Sequence, residues 1–269
     1  MKTFILIFAL MASSLSIPSF AEINSLSQAI NESGRLRMLS QRMAKAYLLK
    51  AMDIQPDKAH AQFLASFNKF EANLSDLHQF STELGSPISI ETSLKTINQE
   101  WQSYKSELHK DPTQFSAANI LSLSDKTLLA CETLVSELEK AAERDSARWV
   151  NLSGRQRMLS QRIAKLYSAI SLSGDIARYD SGLKQAIHEF DLALEELMHS
   201  PDNTHYVNHK LKKVATQWNF SKQGFKLLDK GSSTPLVISM TTETILKQMN
   251  DITALYEEID KNKKQLAAS

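Results

Sequence analysis

Two seventeen-residue segments lie 120 positions apart in this chain. NESGRLRMLSQRMAKAY occupies 31–47 and NLSGRQRMLSQRIAKLY occupies 151–167, and they agree at thirteen positions. A duplication of this kind limits the fold to two copies of one supersecondary unit. The likeness continues past the motif. Phe63, Phe67, Phe70, Leu74 and Leu77 recur 120 positions later as Leu183, Ile187, Phe190, Leu194 and Leu197, with the 4-3-4-3 spacing of a helical apolar stripe. Trp101 matches Trp218 at an offset of 117, and Leu123, Leu128 and Leu129 match Met240, Ile245 and Leu246 at the same offset.

Prolines at 56, 87, 112, 201 and 235 punctuate the periodic segments, glycine is rare, and strand signals are sparse. Each copy reads as four helices: 22–54, 57–84, 88–110 and 114–146, then 147–173, 175–200, 203–230 and 235–263. Short connections make successive helices antiparallel, so the fold class is all-α, two tandem up-down four-helix bundles over 22–146 and 147–269. From Ala117 to Ser173 there is no proline and one glycine, Gly154. This predicts one long helix shared by both units, stacked end to end as a rod, with Arg37 and Arg157 ~40 Å apart at ~1.5 Å per residue. A break at the junction would instead fold the units side by side and bring both motifs together.

Residues 1–21 have the basic start, apolar run and Ser-Phe-Ala ending of a secretory signal peptide, with cleavage expected after Ala21. No cysteine stands there to take a lipid, and the expected compartment is a bacterial periplasm. The chain from Glu22 onward has balanced charge, but 31–47 carries +3 and 151–167 carries +4. An acidic remainder with two local basic segments argues against nucleic acid, which needs a basic face over many phosphates. It favours a small anion held at defined points. The single cysteine, Cys131, is expected to be a small buried helix residue. His205 and His209 have the i, i+4 spacing of two metal ligands but lack the companions of a metalloprotease helix, so no metal or cofactor is expected. Neither a nucleophile elbow nor a phosphate loop is present, and the chain does not read as an enzyme.

On a helical wheel, the first motif separates into three faces. Leu36, Leu39, Met43, Ala46 and Tyr47 form the face that packs into the bundle. Gly34, Arg37, Gln41 and Ala44 form a small-residue face that another helix can approach closely. Arg35 and Arg42 lie nearly opposite, placed to brace the bundle by pairing with acids such as Glu71, Glu132 or Glu139. The second copy repeats this with Gly154, Arg157, Gln161 and Ala164, and with Arg155 and Arg162. Two such faces in contact would bring two guanidiniums together, and a planar oxyanion between them fits their forked donors. A ligand gripped from both sides would bias the packing, which is what a sensor requires.

The string SGRxRMLSQRxAKxY resembles the signature of the N-terminal domain of type IV pili methyl-accepting chemotaxis transducers, the PilJ-type domain, in two tandem copies. That family is similar to the periplasmic sensor domain of nitrate/nitrite sensor kinases, four-helix bundles that dimerise through their first helices and bind nitrate across the dimer axis. The resemblance implies ligand-binding roles for Gly34, Arg37 and Met38, and for Gly154, Arg157 and Met158. It implies nitrate or nitrite as the anion, a homodimer, and a membrane-bound signalling partner. This chain departs from the sensor kinases in its SQRxAK continuation, and it shows no kinase or methylation region. The other reading is a protein-interaction module of a pilus or chemotaxis system, in which the arginines only organise helix packing.

Overall fold

The computed structural model describes residues 23–142, 145–228 and 234–268. The expected signal peptide and its cleavage point lie outside them. Among the described residues eight helices follow in order: α1 Leu26–Ala51, α2 Pro56–Glu83, α3 Ile88–Leu108, α4 Gln114–Ala142, α5 Asp145–Ser173, α6 Ile176–Met198, α7 His205–Leu228 and α8 Pro235–Ala268. No strand occurs among the described residues.

Local chemistry sets most of the ends. Ser25 caps α1 by accepting from the Gln28 N–H, and Asp175 caps α6 by accepting from the Arg178 N–H. Pro56 and Pro235 open α2 and α8, where proline lacks only a donor the helix would leave unused. Gly85 and Gly174 take left-handed φ values of +86° and +70° just past the ends of α2 and α5.

Helices α1–α4 form one antiparallel bundle and α5–α8 the other. Trp101 stacks on Phe70 in the first, and Trp218 packs on Phe190 in the second. The apolar stripes of α2 and α6 thus meet the tryptophans of α3 and α7, as the repeat predicts.

The rod does not form. In a continuous helix Asp125 and Lys165, forty residues apart in sequence, would stand ~60 Å from each other. They are an ion pair at 2.7 Å. Asn151 likewise donates to Glu139 at 2.6 Å. Rising positions on α4 thus meet falling positions on α5, so the two helices run antiparallel. The units lie side by side, with α1 packed along α5. The small-residue faces explain this: Ser33, Gly34, Ser40 and Ala44 on α1, and Ser153, Gly154, Ser160 and Ala164 on α5, are all buried. Burying these long faces against each other outweighs the local tendency of a proline-free segment to run straight.

The register of α8 also differs from the sequence reading. Lys45 pairs with Glu243 where Lys165 pairs with Asp125, and Asn31 donates to Glu257 where Asn151 donates to Glu139. These equivalences put α8 118 positions after α4, not 117. Leu128 then corresponds to Leu246, both buried, and Leu129, 70% exposed, corresponds to exposed Lys247. The apolar match at 117 was misled by adjacent leucines, only one of which faces the core.

Candidate functional site

The site lies on the seam between α1 and α5, about a pseudo-twofold axis inside one chain. Gly34 and Gly154 line it. A Cβ on Gly34 would stand 3.1 Å from Arg37 Nη2 and 3.5 Å from Arg157 Nη2. On Gly154 it would stand 3.1 Å from Arg157 Nη2 and 3.5 Å from Arg37 Nη2. The two guanidinium ends are therefore neighbours, and both side chains are fully buried. What reads in the sequence as two basic patches is one buried seam. Forming it requires no second subunit.

The arginines differ in their partners. Arg37 Nη1 donates to Glu132 Oε2 at 2.7 Å, and its Nη2 donates to Asn151 Oδ1 at 2.9 Å. Arg157 Nη2 donates to the Asn31 carbonyl at 3.1 Å, and its Nη1 reaches Asn250 Oδ1 at 3.3 Å. Asn250 stands where the first unit has Glu132, so Arg157 has no carboxylate within ion-pair distance among the described residues. Burial, with Arg35 and Arg37 as further cations, outweighs the pull of Glu32 and Glu257 and holds the Arg157 pKa down at about 9. The Nε atoms of Arg37 and Arg157 and the Oδ1 of Asn31 are buried without a hydrogen-bond partner.

Along the same seam lie Gln41 and Gln161. Each donates across its own unit, Gln41 to the Ser124 carbonyl and Gln161 to the Thr242 carbonyl. One turn further, Lys45 and Lys165 are fully buried. Lys45 Nζ donates to Gln161 Oε1 at 2.8 Å and to Glu243 Oε1 at 2.5 Å. Lys165 Nζ donates to Ser124 Oγ and Asp125 Oδ1. Both lysines reach from one unit into the other. Burial pulls each down from 10.5 to about 8, against the pull of its carboxylate. Glu243 also takes a two-pronged contact from Arg42, at 3.0 Å and 2.7 Å. Burial pushes its carboxyl up, but Lys45 and Arg42 more than offset that and hold it at about 2.

The other expected site residues fall as follows. Met38 and Met158 are buried in the apolar core. Arg35 pairs with Glu32 on its own helix, and Arg155 pairs with Glu189 on α6. None of the acids expected for Arg35 and Arg42 serves them: Glu132 meets Arg37, Glu139 meets Asn151, and Glu71 meets Lys105. The Nε of Arg162 is buried and unpaired. Asn31, Asn151, Lys45, Lys165 and Asn250 were not singled out from the sequence. The first four had a signal, because they are repeated within the duplicated motif. Cys131 is a buried free thiol pushed well above its ordinary pKa by burial. His205 and His209 are exposed, and no group of three potential metal ligands occurs among the described residues.

A family model described as type IV pili methyl-accepting chemotaxis transducer N-terminal matches residues 19–126 and 141–226. No curated protein matches, and no solved structure matches. Among the described residues no helix is long and apolar enough to cross a membrane.

Proposed function

The chain belongs to the type IV pili methyl-accepting chemotaxis transducer N-terminal family, a family of signalling modules, and from that premise we propose that it is an exported sensor whose α1–α5 seam binds a small oxyanion, nitrate or nitrite first. The single observation that carries this is Arg157: a fully buried guanidinium beside a second one, with no carboxylate of its own. Unbalanced buried charge is costly. Glu32 and Glu257 act on Arg157 only at longer range; an anion held between Arg37 and Arg157 would supply a direct counter-charge, and the two idle Nε–H groups would supply donors. Gly34 and Gly154 leave room where any side chain would press on the arginine ends.

The sensing step follows from the seam. An anion held between α1 and α5 stabilises the packing in which both arginines reach it, at the expense of other packings. Its effect passes to a membrane-bound signalling partner through the outer helices. The resemblance to nitrate sensor domains suggests the ligand, but here one chain carries both arginines.

Calorimetry on the chain from Glu22 onward tests the reading. Saturable heat with nitrate or nitrite, lost in Arg157→Ala and in Arg37→Ala, is the expected result. Absence of heat and of thermal shift with both anions would refute it. Expression of the full chain should yield a secreted product starting at Glu22, read by intact mass.

A further inference from the structure

A second place in the molecule joins the two units. A cleft of about 280 Å³ lies where α1, the first turns of α2, and α8 meet. Its floor holds Arg42 and Glu243, with Lys45 beneath. Lys58 stands on one wall and Lys247 on the other. Leu49, Ile54, Leu236 and Met240 give it apolar sides.

The charge here is unbalanced for a structural reason. Lys247 follows Glu243 by four residues, the spacing of a favourable helix pair. Both Glu243 oxygens are already engaged, Oε1 by Lys45 and Arg42 and Oε2 by Arg42. Lys247 therefore has no carboxylate partner among the described residues. Lys58 has none either, and its charge is felt by Lys45. Four cations thus surround one carboxylate. In the wall between them the Oε1 of Gln62 is buried without a donor. By the repeat, Lys58 corresponds to Arg178 and Lys247 to Leu129, so the lysine on the α8 wall is particular to this side of the molecule.

We propose that this cleft binds a small organic dianion, an aliphatic dicarboxylate, with its carboxylates on Lys58 and Lys247 and its carbon chain on the apolar walls. The volume is at the small end for ligand sites and suits a molecule of a few carbons. A ligand here touches α2 of the first unit and α8 of the second. It clamps the two bundles at a point distinct from the arginine seam.

The test is calorimetry with succinate, glutarate and adipate on the wild-type chain from Glu22 onward, with succinamide as the uncharged control. Saturable binding of at least one diacid, none of succinamide, and weakening of about tenfold or more in the Lys58→Ala/Lys247→Ala double variant are expected. Both lysines are exposed, so circular dichroism should show the variant folded. Arg157→Ala should leave diacid binding intact while abolishing that of nitrate, which separates this site from the seam. No saturable heat with any diacid, or unchanged binding in the double variant, would overturn the proposal.

Discussion

At Gly34 two effects of one substitution can be weighed against each other. Alanine gains ~1 kcal/mol of helix propensity over glycine. Its methyl would stand 3.1 Å from the Arg37 Nη2, and that neighbour is the far end of a flexible side chain, which can yield by a few tenths of an ångström. Gly34→Ala should therefore leave the melting temperature within a few degrees of wild type, while displacing the Arg37 guanidinium and weakening nitrate binding about tenfold. Unchanged nitrate affinity would show that the arginine ends need no such placement. Glu243 supports a second prediction. Its carboxyl sits at about 2 when folded against an ordinary 4.5, so its contribution is present above pH 4.5 and is lost as the pH falls toward 2. Lys45 has the same sign in another window: depressed to about 8 from 10.5, it makes stability rise with pH between those values. Glu243→Gln leaves a buried lysine without its counter-charge, at a cost of ~3 kcal/mol. Urea titrations should show that loss at pH 6, a smaller one at pH 9 where Lys45 gives up its proton, and a flatter acid limb. An equal loss at both pH values would mean that Lys45 stays charged throughout.

At the scale of the helices, ends are decided locally and partners are not. Asp175 follows the left-handed Gly174 and caps α6 through the Arg178 N–H at 3.1 Å. Asp175→Ala should cost ~1 kcal/mol in urea unfolding and leave anion binding unchanged. A neutral result would mean that packing alone holds this end. The ends marked by Pro56 and Pro235 were legible in advance because proline acts on its own few neighbours. The arginine face was legible too, since Gly34, Arg37, Gln41 and Ala44 share one side of a wheel. The junction after α4 was not. Its lack of proline says only that a helix is permitted there, whereas the antiparallel return depends on two small-residue faces 120 positions apart. Asn250 and Glu243 were illegible for the same reason, and Glu132, expected for Arg35 or Arg42, serves Arg37 instead: each meets its arginine or lysine through packing between helices distant in sequence.

Across the whole molecule, the seam has the logic of a homodimer written into one chain. Lys45 meets Glu243 and Lys165 meets Asp125, so each lysine finds an acid at the same height of the opposing unit. Asn31 meets Glu257 and Asn151 meets Glu139 in the same way. These contacts are interchangeable: in two copies of the first unit, each Lys45 could meet the other copy's Asp125, and each Asn31 the other's Glu139. A first unit alone would otherwise expose Lys45, Ala44 and Arg37, all fully buried in the intact chain. Leaving that face open costs apolar burial and unpairs a buried lysine. A fragment of residues 22–142 should therefore be a helical dimer in analytical ultracentrifugation. Asp125→Asn within the fragment should shift it toward monomer by removing the partner that Lys45 requires. A folded monomeric fragment would show that the first unit is self-sufficient and that the seam is only where two independent bundles touch.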